Sequence, residues 1–462
     1  MNIRDDFVLK NINEGYLVGG MLRDYFSSEF FGTKFPTKDR DIAIKDAEKF
    51  AKKISEEFEG TFITLDEKNK IFRVVLPDKE NYADICEICG NDINEDLTRR
   101  DFTINAIAYD LKNNEFIDIT GGINDIKNKK LRHIKEENFK DDPLRILRAF
   151  RFMGTTGFDP DEELLKLLQK YLFLIDKPAK ERIHDEIMKL FGGKYTSKTL
   201  LLMQDIGILG KIFPCVQEMA KIPANSHHHL DLIHHVIETV KQCEIQFEND
   251  TRITEHLSCN EFGGYARINH LKIACFLHDI GKYSCWTIEN ENGKERHRFI
   301  KHDITGAKIV IPVLKNLKFS NKQIEYISEM IKLHIYPSGV ISAPNIDDKI
   351  MMRYIRKLGN NVIDNIVLAK SDRLSAKGPE VTKEMIENNI NGLNRLMDFY
   401  ISIKPSLKPL PKLINGNEIM EILGIKQSPL LGKIINEIKE AQINGDILTK
   451  DDAINFVNTY LK

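Results

Sequence analysis

Two short motifs near the start of the chain contain the residue types that phosphoryl transfer needs. Asp39 and Asp41 stand one residue apart at the start of a predicted strand, so their side chains should point to the same face, about 6.5–7 Å apart along the strand. Two such carboxylates can hold a pair of Mg²⁺ ions about 3.5–4 Å apart, which is the arrangement for in-line displacement at phosphorus. Upstream, Gly19-Gly20 predicts a tight turn whose bare N–H groups can bind phosphate oxygens. The spacing therefore predicts a metal-dependent nucleotide site.

Further carboxylates and arginines follow this pair along the chain. Asp84 lies in a late predicted strand and could add a third carboxylate to the site, although an ordinary edge-strand aspartate fits the sequence equally well. Next, Arg99, Arg100 and Asp101 stand at the entrance of a segment whose apolar spacing through Tyr109 suits a helix with one buried face. Two arginines and an aspartate in that position can hold a triphosphate and a ribose hydroxyl.

A third motif, Asp142 with Arg145, could recognise a base. The two residues are three apart at a predicted helix start, with Pro143 in the first turn, so they should share a face. A carboxylate accepts from an exocyclic amine and an arginine fork donates to ring nitrogens and carbonyls, so this pair could read a Watson–Crick edge. Alternatively, Asp142 is only the N-cap and Arg145 a surface residue. Arg148 and Arg151 follow in the same run and are further candidate nucleotide contacts.

These residues need a sheet to carry the carboxylates and helices to carry the arginines. The pattern predicts strands over residues 16–18, 41–44, 61–65, 72–76, 82–88 and 116–119, and helices over residues 21–28 and 47–58. Strand signals disappear from about residue 121, and the remaining chain reads as helical. The predicted fold class is therefore α+β, with a head built on a mixed sheet with helices, followed by an all-α remainder.

Size and composition are consistent with a multidomain globular protein. The chain has 462 residues, of which 42% are hydrophobic and 29% charged, and this length suggests about three domains. The net charge of −2 excludes a global basic field, so any nucleic acid must contact local Lys and Arg patches. We find no signal-peptide pattern, no apolar run long enough for a membrane span, and only seven scattered cysteines. We expect a cytoplasmic protein with free thiols and no membrane partner, and the sequence leaves the oligomeric state open.

In this order, the motifs resemble those of class II tRNA nucleotidyltransferases, the family of CCA-adding enzymes and bacterial poly(A) polymerases. The matching residues are Gly19-Gly20 with Arg23-Asp24, the pair Asp39 and Asp41, Arg99-Arg100-Asp101 with Asn105, Asp142 with Arg145, and Lys180-Glu181-Arg182-Ile183 with Glu186. The resemblance extends from about residue 12 to the C-terminus. It implies a nucleotidyltransferase-fold head and template-independent addition of CMP and AMP, from CTP and ATP, to the 3′ end of tRNA with Mg²⁺ as cofactor.

The resemblance also implies a role for each motif and a division into domains. Asp39 and Asp41 would hold two Mg²⁺ ions, Gly19, Gly20 and Arg23 the triphosphate, Arg100 and Asp101 the ribose, and Asp142 and Arg145 the base. The implied domains are a catalytic head over residues 1–120, a helical neck for base recognition over 121–195, a helical body over 196–380, and a tRNA-binding helical tail over 381–462.

The helical body resembles an HD-type metal-dependent phosphohydrolase in its residue order. The resemblance implies that His235, His278, Asp279 and Asp372 hold one divalent metal, and that His302 and His334 bind phosphate or a second metal. Imidazole together with carboxylate suits Mn²⁺, Ni²⁺ or Co²⁺ better than Mg²⁺ alone. Some family members with such a domain act on RNA 2′,3′-cyclic ends and 2′-phosphates, so the resemblance implies substrates of this class without identifying one. We interpret the histidine run at 227–229 as surface.

The connection before Arg99 departs from the family pattern. Only residues 87–97 join the late head strand to that motif, whereas enzymes that build the full CCA end usually have a longer flexible loop here. The arginine that usually follows the strand is also missing. A CC-adding enzyme is therefore an alternative, as are a poly(A) polymerase and an HD phosphohydrolase whose head only binds RNA.

Overall fold

The fold is that of a computed structural model, which describes residues 3, 6, 8–32, 40–291, 293–343, 346–407 and 409–461. Asp39 lies outside the described residues, so its predicted role stays a prediction. Contacts within the chain divide it into two compact units, Met1–Ile212 and Phe213–Lys462. Within the described residues, we find no helix with the length and apolarity that a membrane crossing requires. The seven cysteines are free thiols, as predicted.

A seven-stranded mixed sheet forms the start of the first unit. Its strands are β1 (Tyr16–Val18), β2 (Asp41–Ile44), β3 (Thr61–Asp66), β4 (Ile71–Val75), β5 (Tyr82–Glu87), β6 (Ala108–Asp110) and β7 (Glu115–Ile117). The strand order is β3-β4-β5-β2-β1-β6-β7, in which β2 and β5 pair in parallel and the other neighbours are antiparallel. The helices of this part are α1 (Gly20–Phe31), α2 (Ala47–Glu57) and α3 (Ile93–Thr98). Six of these strands were predicted within a few residues, and the predicted α+β class is confirmed.

The segment after Arg100 differs from its prediction. Instead of a helix, a 3₁₀ turn over Thr103–Asn105 leads into β6, which pairs with β1. Phe102, Ala106 and Ala108 are all completely buried. The helix prediction was wrong because this segment passes through the core, where its apolar residues are buried on every side and β1 satisfies its backbone.

The remainder of the first unit is mainly helical. Its helices are α4 (Gly122–Lys127), α5 (Glu137–Asp141), α6 (Arg145–Thr156), α7 (Glu162–Lys170), α8 (Lys180–Phe191), α9 (Thr196–Ile206) and α10 (Leu209–Ile212). The amphipathic helix α6 packs its apolar face against α8 and α9. Two short strands, β8 (Lys130–Leu131) and β9 (Asp159–Pro160), pair in parallel, which corrects the expectation that no strand follows residue 121.

The second unit is built around α12, which packs against α14 and α20. Its helices are α11 (Cys215–Met219), α12 (Leu232–Asn249), α13 (Thr251–Leu257), α14 (Arg267–Leu277), α15 (Lys282–Cys285), α16 (His302–Asn316), α17 (Asn321–Lys332), α18 (Tyr336–Ile341), α19 (Asp348–Leu358), α20 (Val362–Ser375), α21 (Lys383–Ile403), α22 (Gly416–Leu423), α23 (Pro429–Asn444) and α24 (Lys450–Asn458). Its strands are β10 (Asn260–Phe262), β11 (Tyr265–Ala266), β12 (Trp286–Glu291) and β13 (Lys294–Phe299).

Two hairpins, β10–β11 and β12–β13, interrupt the helices of the second unit. The prediction of an entirely helical body was wrong at these segments. The sequence does contain a signal for the longer hairpin, since Asn-Gly at positions 292 and 293 is a strong hairpin-turn pair between alternating residues.

Candidate nucleotide cleft and metal centre

A cleft of about 490 Å³ in the first unit brings the glycine turn, the sheet and α6 together. Its lining residues are Gly19, Gly20, Arg23, Asp41, Arg100, Asp101, Asn105, Asp142, Arg145, Arg148, Arg151 and Phe152. Five of them are arginines and three are aspartates, so positive charge exceeds negative charge. Guanidinium groups bind phosphate oxygens through paired N–H donors, and the lining therefore suits a polyphosphate.

The glycine turn lies against the first residue of β2. Gly19 has a φ of 80°, a conformation that favours glycine. A Cβ at Gly19 would lie 2.9 Å from Oδ2 of Asp41 and 3.7 Å from Nη1 of Arg100. The missing side chain therefore leaves a cradle between a carboxylate and a guanidinium, at the N-terminus of α1. This donor set fits a phosphate-bound Mg²⁺ that Asp41 would hold.

Asp84 is adjacent to Asp41 in the sheet, since the two residues are register partners on β5 and β2. However, Arg73 donates from Nε and Nη2 to the two oxygens of Asp84, each at 2.7 Å. Asp84 is also absent from the described lining of the cleft. The pairing with Arg73 does not favour Asp84 as a third catalytic carboxylate, and β5 lies between β4 and β2, so Asp84 is not on an edge strand either.

Asp101 is a buried anchor in the wall of the cleft. Its carboxylate accepts from Nε of Arg148 at 2.8 Å, from Nδ2 of Asn105 at 2.9 Å and from the backbone N–H of Phe102 at 2.8 Å. Burial raises the pKa of Asp101, but Arg148 and these hydrogen bonds outweigh it and lower the pKa to about 2. These contacts hold Arg148 and Asn105 in place and already occupy both oxygens, which does not favour the predicted ribose contact.

The guanidinium groups of two further arginines that line the cleft are held by side-chain hydrogen bonds. Arg23 donates from Nη1 to Oδ1 of Asn105 at 3.0 Å, and Arg100 donates from Nε and Nη2 to Asp96 at 3.1 and 3.0 Å. Arg99, by contrast, is exposed and is not among the described residues that line the cleft. The structure therefore does not support the predicted nucleotide contact of Arg99.

Asp142 and Arg145 both line the cleft, although they do not share a helix face. α6 begins at Arg145, and Asp142 lies in the bend after α5, so the N-cap prediction was wrong. Asp142 accepts from Nη2 of Arg182 at 2.8 Å, and Arg145 donates from Nη2 to the backbone carbonyl of Arg99 at 2.7 Å. Burial lowers the pKa of Arg145. Partners thus contact both side chains in the cleft wall, and Arg182 contacts both oxygens of Asp142.

Arg148 and Arg151 continue from Arg145 along α6 and meet the buried carboxylate of Glu186 on α8. Nε of Arg151 lies 2.7 Å and Nη1 of Arg148 lies 3.7 Å from the Glu186 oxygens. Burial lowers the pKa of Arg151 to about 10, and Glu186 opposes that shift. The guanidinium of Arg151 also lies 3.7 Å over the ring of Phe152, which sequence reasoning missed. The sequence does contain a signal for this contact, since Phe152 directly follows three arginines spaced three residues apart.

The second unit contains a buried cluster of imidazoles and carboxylates. α12 contributes His235, the end of α14 contributes His278 and Asp279, and α20 contributes Asp372. Nε2 of His235 lies 3.5 Å from Asp279 and 3.2 Å from Asp372, and Nε2 of His278 lies 3.2 and 3.6 Å from the same carboxylates. The structure therefore brings the predicted four-residue set together.

The two outer histidines lie at the same cluster. Nε2 of His302 is 3.3 Å and Nε2 of His334 is 3.8 Å from Oδ1 of Asp279. The two Nε2 atoms are 3.2 Å apart. His302 begins α16 and His334 follows α17, so the six predicted residues come from five separate parts of the unit.

The chemistry of these donors fits a transition metal. Nε2 of His235, Nε2 of His278 and both oxygens of Asp279 are buried and have no hydrogen-bond partner among the described residues. The ammonium of Lys282 lies 2.5 Å from Oδ2 of Asp279 and offsets the burial of that oxygen. Leaving the other three atoms unsatisfied is costly, and a coordinated cation would satisfy them together. Burial lowers the pKa of His278, but Asp279 and Asp372 outweigh it and raise the pKa to about 10. Mixed imidazole and carboxylate donors suit Mn²⁺, Ni²⁺, Co²⁺ or Zn²⁺.

His228 also reaches this cluster, although the sequence analysis placed the 227–229 run on the surface. His227 and His229 are exposed as predicted, but His228 is half-buried. Burial and the nearby Lys282 lower the pKa of His228 to about 2. Only the fold brings the ring of His228 to the cluster, because nothing in the sequence of the run distinguishes its middle histidine from the other two.

Comparisons with known protein families match three parts of the chain. Residues 15–132 match the Poly A polymerase head domain, and residues 157–219 match the family described as the probable RNA and SrmB-binding site of polymerase A. Residues 232–377 match the HD domain.

Individual relatives match over nearly the whole chain. The A-adding tRNA nucleotidyltransferase of Deinococcus radiodurans is 26% identical over 449 residues, covering 96% of this chain and 95% of the relative. The CC-adding tRNA nucleotidyltransferase of Thermus thermophilus is 26% identical, covering 98% of this chain and 95% of the relative. The solved structure of the Thermotoga maritima CCA-adding enzyme complexed with tRNA shares the fold, with a TM-score of 0.54, 20% identity, and coverage of 97% of this chain and 91% of that chain.

Proposed function

Since this chain belongs to the family of class II tRNA nucleotidyltransferases and bacterial poly(A) polymerases, we propose that it adds CMP and AMP, from CTP and ATP, to the 3′ end of tRNA. The observation that carries the proposal is the cleft, in which a glycine cradle, Asp41 and five arginines line one space. The same chemistry on an unselective RNA primer would make the protein a poly(A) polymerase.

In this proposal, different residues of the cleft bind different parts of the nucleotide. The N–H groups of the turn at Gly19 and Gly20, with Arg23 and Arg100, hold the triphosphate so that the α-phosphorus faces the tRNA 3′-hydroxyl. When Mg²⁺ is bound, at Asp41 and the predicted Asp39, it lowers the pKa of that hydroxyl and neutralises charge on pyrophosphate. The oxygen–phosphorus bond to the tRNA forms as the bond to pyrophosphate breaks.

Base selection would depend on Asp142 and Arg145. Asp142 can accept from the exocyclic amine that cytosine and adenine both carry, and Arg145 can donate to a ring nitrogen or carbonyl. Arg182 and the backbone carbonyl of Arg99 hold these two side chains, so protein groups replace a template strand. Uracil lacks the amine and should be rejected.

The proposal also includes the predicted division of the chain. We assign residues 1–120 to catalysis, 121–195 to base recognition, 196–380 to the helical body with its metal centre, and 381–462 to tRNA binding. Truncation after residue 380 should abolish selective use of tRNA if the last assignment holds.

Extension of three tRNAs, ending in the discriminator base, in C or in CC, with each nucleotide alone, tests the activity. We expect CMP transfer to the first two and AMP transfer to the third. Absence of any transfer with Mg²⁺ present would overturn the proposal. Equal extension of an unstructured RNA primer would favour poly(A) polymerase instead.

The short connection between β5 and α3 favours a restricted variant of this activity. β5 ends at Glu87 and α3 begins at Ile93, which leaves little chain for the flexible loop of enzymes that complete CCA. Restricted addition also occurs among the relatives above, since one is named A-adding and the other CC-adding. Transfer of CMP twice without subsequent AMP, in the same assay, would identify a CC-adding enzyme.

The buried donor cluster supports a second activity, which we propose to be metal-dependent phosphohydrolysis of RNA 2′,3′-cyclic phosphates and 2′-phosphates. His235, His278, Asp279 and Asp372 would hold the metal, with His302 and His334 at the phosphate or a second metal. A bound transition metal supplies an activated water for attack on phosphorus. Release of phosphate from a 2′-phosphorylated oligonucleotide, dependent on Co²⁺ or Mn²⁺ and lost in His278→Ala, tests the proposal.

A further inference from the structure

A histidine outside the predicted ligand set faces the metal centre of the second unit. His228 precedes α12, and its ring packs edge-on against His235 with ring centroids 4.5 Å apart. One donor atom from each of His228, His235 and Asp279 lies within 4.8 Å of the other two. This spacing allows one cation to contact all three groups.

Hydrogen bonding determines which nitrogen of His228 is available. Nδ1 of His228 lies 3.2 Å from Oδ1 of Asn225, an atom that only accepts, so Nδ1 carries the proton. Nε2 then holds a lone pair. Its distance of 3.5 Å from Nζ of Lys282, which only donates, agrees with this tautomer. The same Nζ lies 2.5 Å from Oδ2 of Asp279, so a metal held by His228 and Asp279 would replace this ammonium as their cation.

Other histidines of the centre are oriented in the same way. Nδ1 lies close to a backbone carbonyl oxygen in His278, at 2.8 Å from Cys275, in His302, at 2.7 Å from Phe299, and in His334, at 2.7 Å from Ile331. Each of these rings therefore presents Nε2 to the centre, as metal-bound histidines do when their second nitrogen is held by a partner. His228 has the same arrangement, with a side-chain amide in place of the carbonyl.

The backbone around His228 is held in place by close contacts. Oδ1 of Asn225 also accepts from the N–H groups of His227 and His228, at 2.9 and 3.0 Å. Gly378, just after α20, donates from its N–H to the carbonyl of His227 at 2.8 Å. A Cβ at Gly378 would lie 2.3 Å from the backbone of Ser226 and His227, so only glycine allows this approach. Contacts of the turn itself and of Gly378 therefore position His228 at the centre, independently of metal binding.

We propose that His228 is an additional protein ligand of this centre, which donates Nε2 to the divalent transition metal held by His235 and Asp279, and that Asn225 positions its ring. The inference rests on the proposed metal centre. It adds a donor from the turn before α12 to the donors from the helices.

Titration of the metal-free full-length protein with Co²⁺ tests the inference, with calorimetry for affinity and visible absorption for coordination. His228→Ala should weaken Co²⁺ binding by about 10- to 100-fold and change the visible spectrum. Asn225→Ala retains the ring but releases its orientation, and should weaken binding by about 10-fold. His227→Ala and His229→Ala remove exposed imidazoles from the same turn and should match the wild type in both measurements.

Two outcomes distinguish failure of the inference from failure of the centre. If wild type binds Co²⁺ and His228→Ala has the same affinity and spectrum as His227→Ala, His228 is no ligand while the centre stands. If wild type binds no Co²⁺, both the centre and the inference are wrong. His228→Asn keeps an N–H donor near the position of Nδ1 and removes Nε2, and it replaces His228→Ala if circular dichroism shows that the alanine variant is unfolded.

Discussion

In the cleft of the first unit, carboxylates are surrounded by guanidinium groups, whereas in the centre of the second unit they are surrounded by imidazoles. Asp142 keeps 31% of its side chain exposed and is held by Arg182, while Asp279 is 1% exposed and lies among imidazole rings and the ammonium of Lys282. Permanent cations and open carboxylates suit a large, highly charged substrate with Mg²⁺. Buried imidazole donors suit a resident transition metal that is not exchanged with each substrate.

The two sites also differ in how their polar atoms are satisfied. In the cleft, Asp101 has donors for both oxygens, and Asp84 is paired with Arg73. In the centre, Oδ2 of Asp279 is ion-paired with Lys282 at 2.5 Å, while Oδ1 of Asp279 and Nε2 of His235 and His278 have no hydrogen-bond partner among the described residues. A site whose polar atoms are all hydrogen-bonded is rigid before substrate arrives. A site with buried lone pairs that no hydrogen bond satisfies is stabilised by a bound cation. The comparison predicts that damage to one site leaves the chemistry of the other intact.

The largest expected effect is on nucleotide transfer. Asp41→Ala removes the carboxylate at the glycine cradle, and loss of several kcal/mol of metal-assisted stabilisation should lower kcat for CMP transfer by about 10³-fold. Single-turnover extension of tRNA with labelled CTP measures this. Co²⁺ binding by the same variant should be unchanged, and a parallel loss of both properties would contradict the separation of the two sites.

The second-largest effect is expected on metal binding. His278→Ala removes a proposed ligand, and loss of a ligand should weaken Co²⁺ binding more than the roughly 10- to 100-fold that loss of a ligand's hydrogen-bond partner usually causes. Calorimetric titration gives the affinity. Transfer of CMP to tRNA serves as the control and should match the wild type. Unchanged Co²⁺ affinity would mean that the metal lies elsewhere.

Asp101 gives a prediction for stability. Its ionised form is favoured by the fold, so it stabilises the protein above the ordinary pKa of 3.8, and the contribution disappears as the pH falls towards the folded value of about 2. Asp101→Asn should therefore cost about 2 kcal/mol at pH 7 and about half as much at pH 3. Urea unfolding followed by circular dichroism measures the difference. Asp205→Asn, at an exposed position of the same unit, is the matched control, and an equal effect at both pH values would be inconsistent with this assignment.

The smallest expected effect concerns base selection. Arg145→Lys loses the planar fork and should reduce the preference for CTP over UTP by about 10-fold. Ratios of kcat/KM on one tRNA give the preference. Arg99→Lys alters a neighbouring exposed arginine outside the described cleft lining, and it should leave the ratio as in the wild type. If both variants behave alike, Arg145 does not read the base.

Local patterns in the sequence were sufficient for much of the head. The strands Tyr16–Val18 and Asp41–Ile44 were predicted to the residue, because each is a short apolar run flanked by turn or charged residues. The glycine turn is also local, since a backbone with positive φ at Gly19 needs glycine irrespective of its surroundings.

Contacts between distant segments decided what local patterns left open. Phe102 to Tyr109 had helical spacing, but pairing with β1 made its end a strand. Asp84 carried the expected charge in the expected strand, but Arg73 on the neighbouring strand took up its oxygens. The sequence left open whether Asp142 caps a helix or reads a base, and the pairing with Arg182, forty residues away, could not be predicted from neighbouring residues.

The sequence by itself determined which chemical groups were available and in which local elements they lie. It fixed Gly19 as a turn, Asp41 at the start of a strand, and His278 with Asp279 at a helix end, because backbone conformation depends on near neighbours. Only the tertiary structure decided which of these groups meet. His228 became a candidate ligand through its approach to Asp279, and Asp101 an anchor through its hydrogen bond with Arg148, and both contacts join residues far apart in the chain.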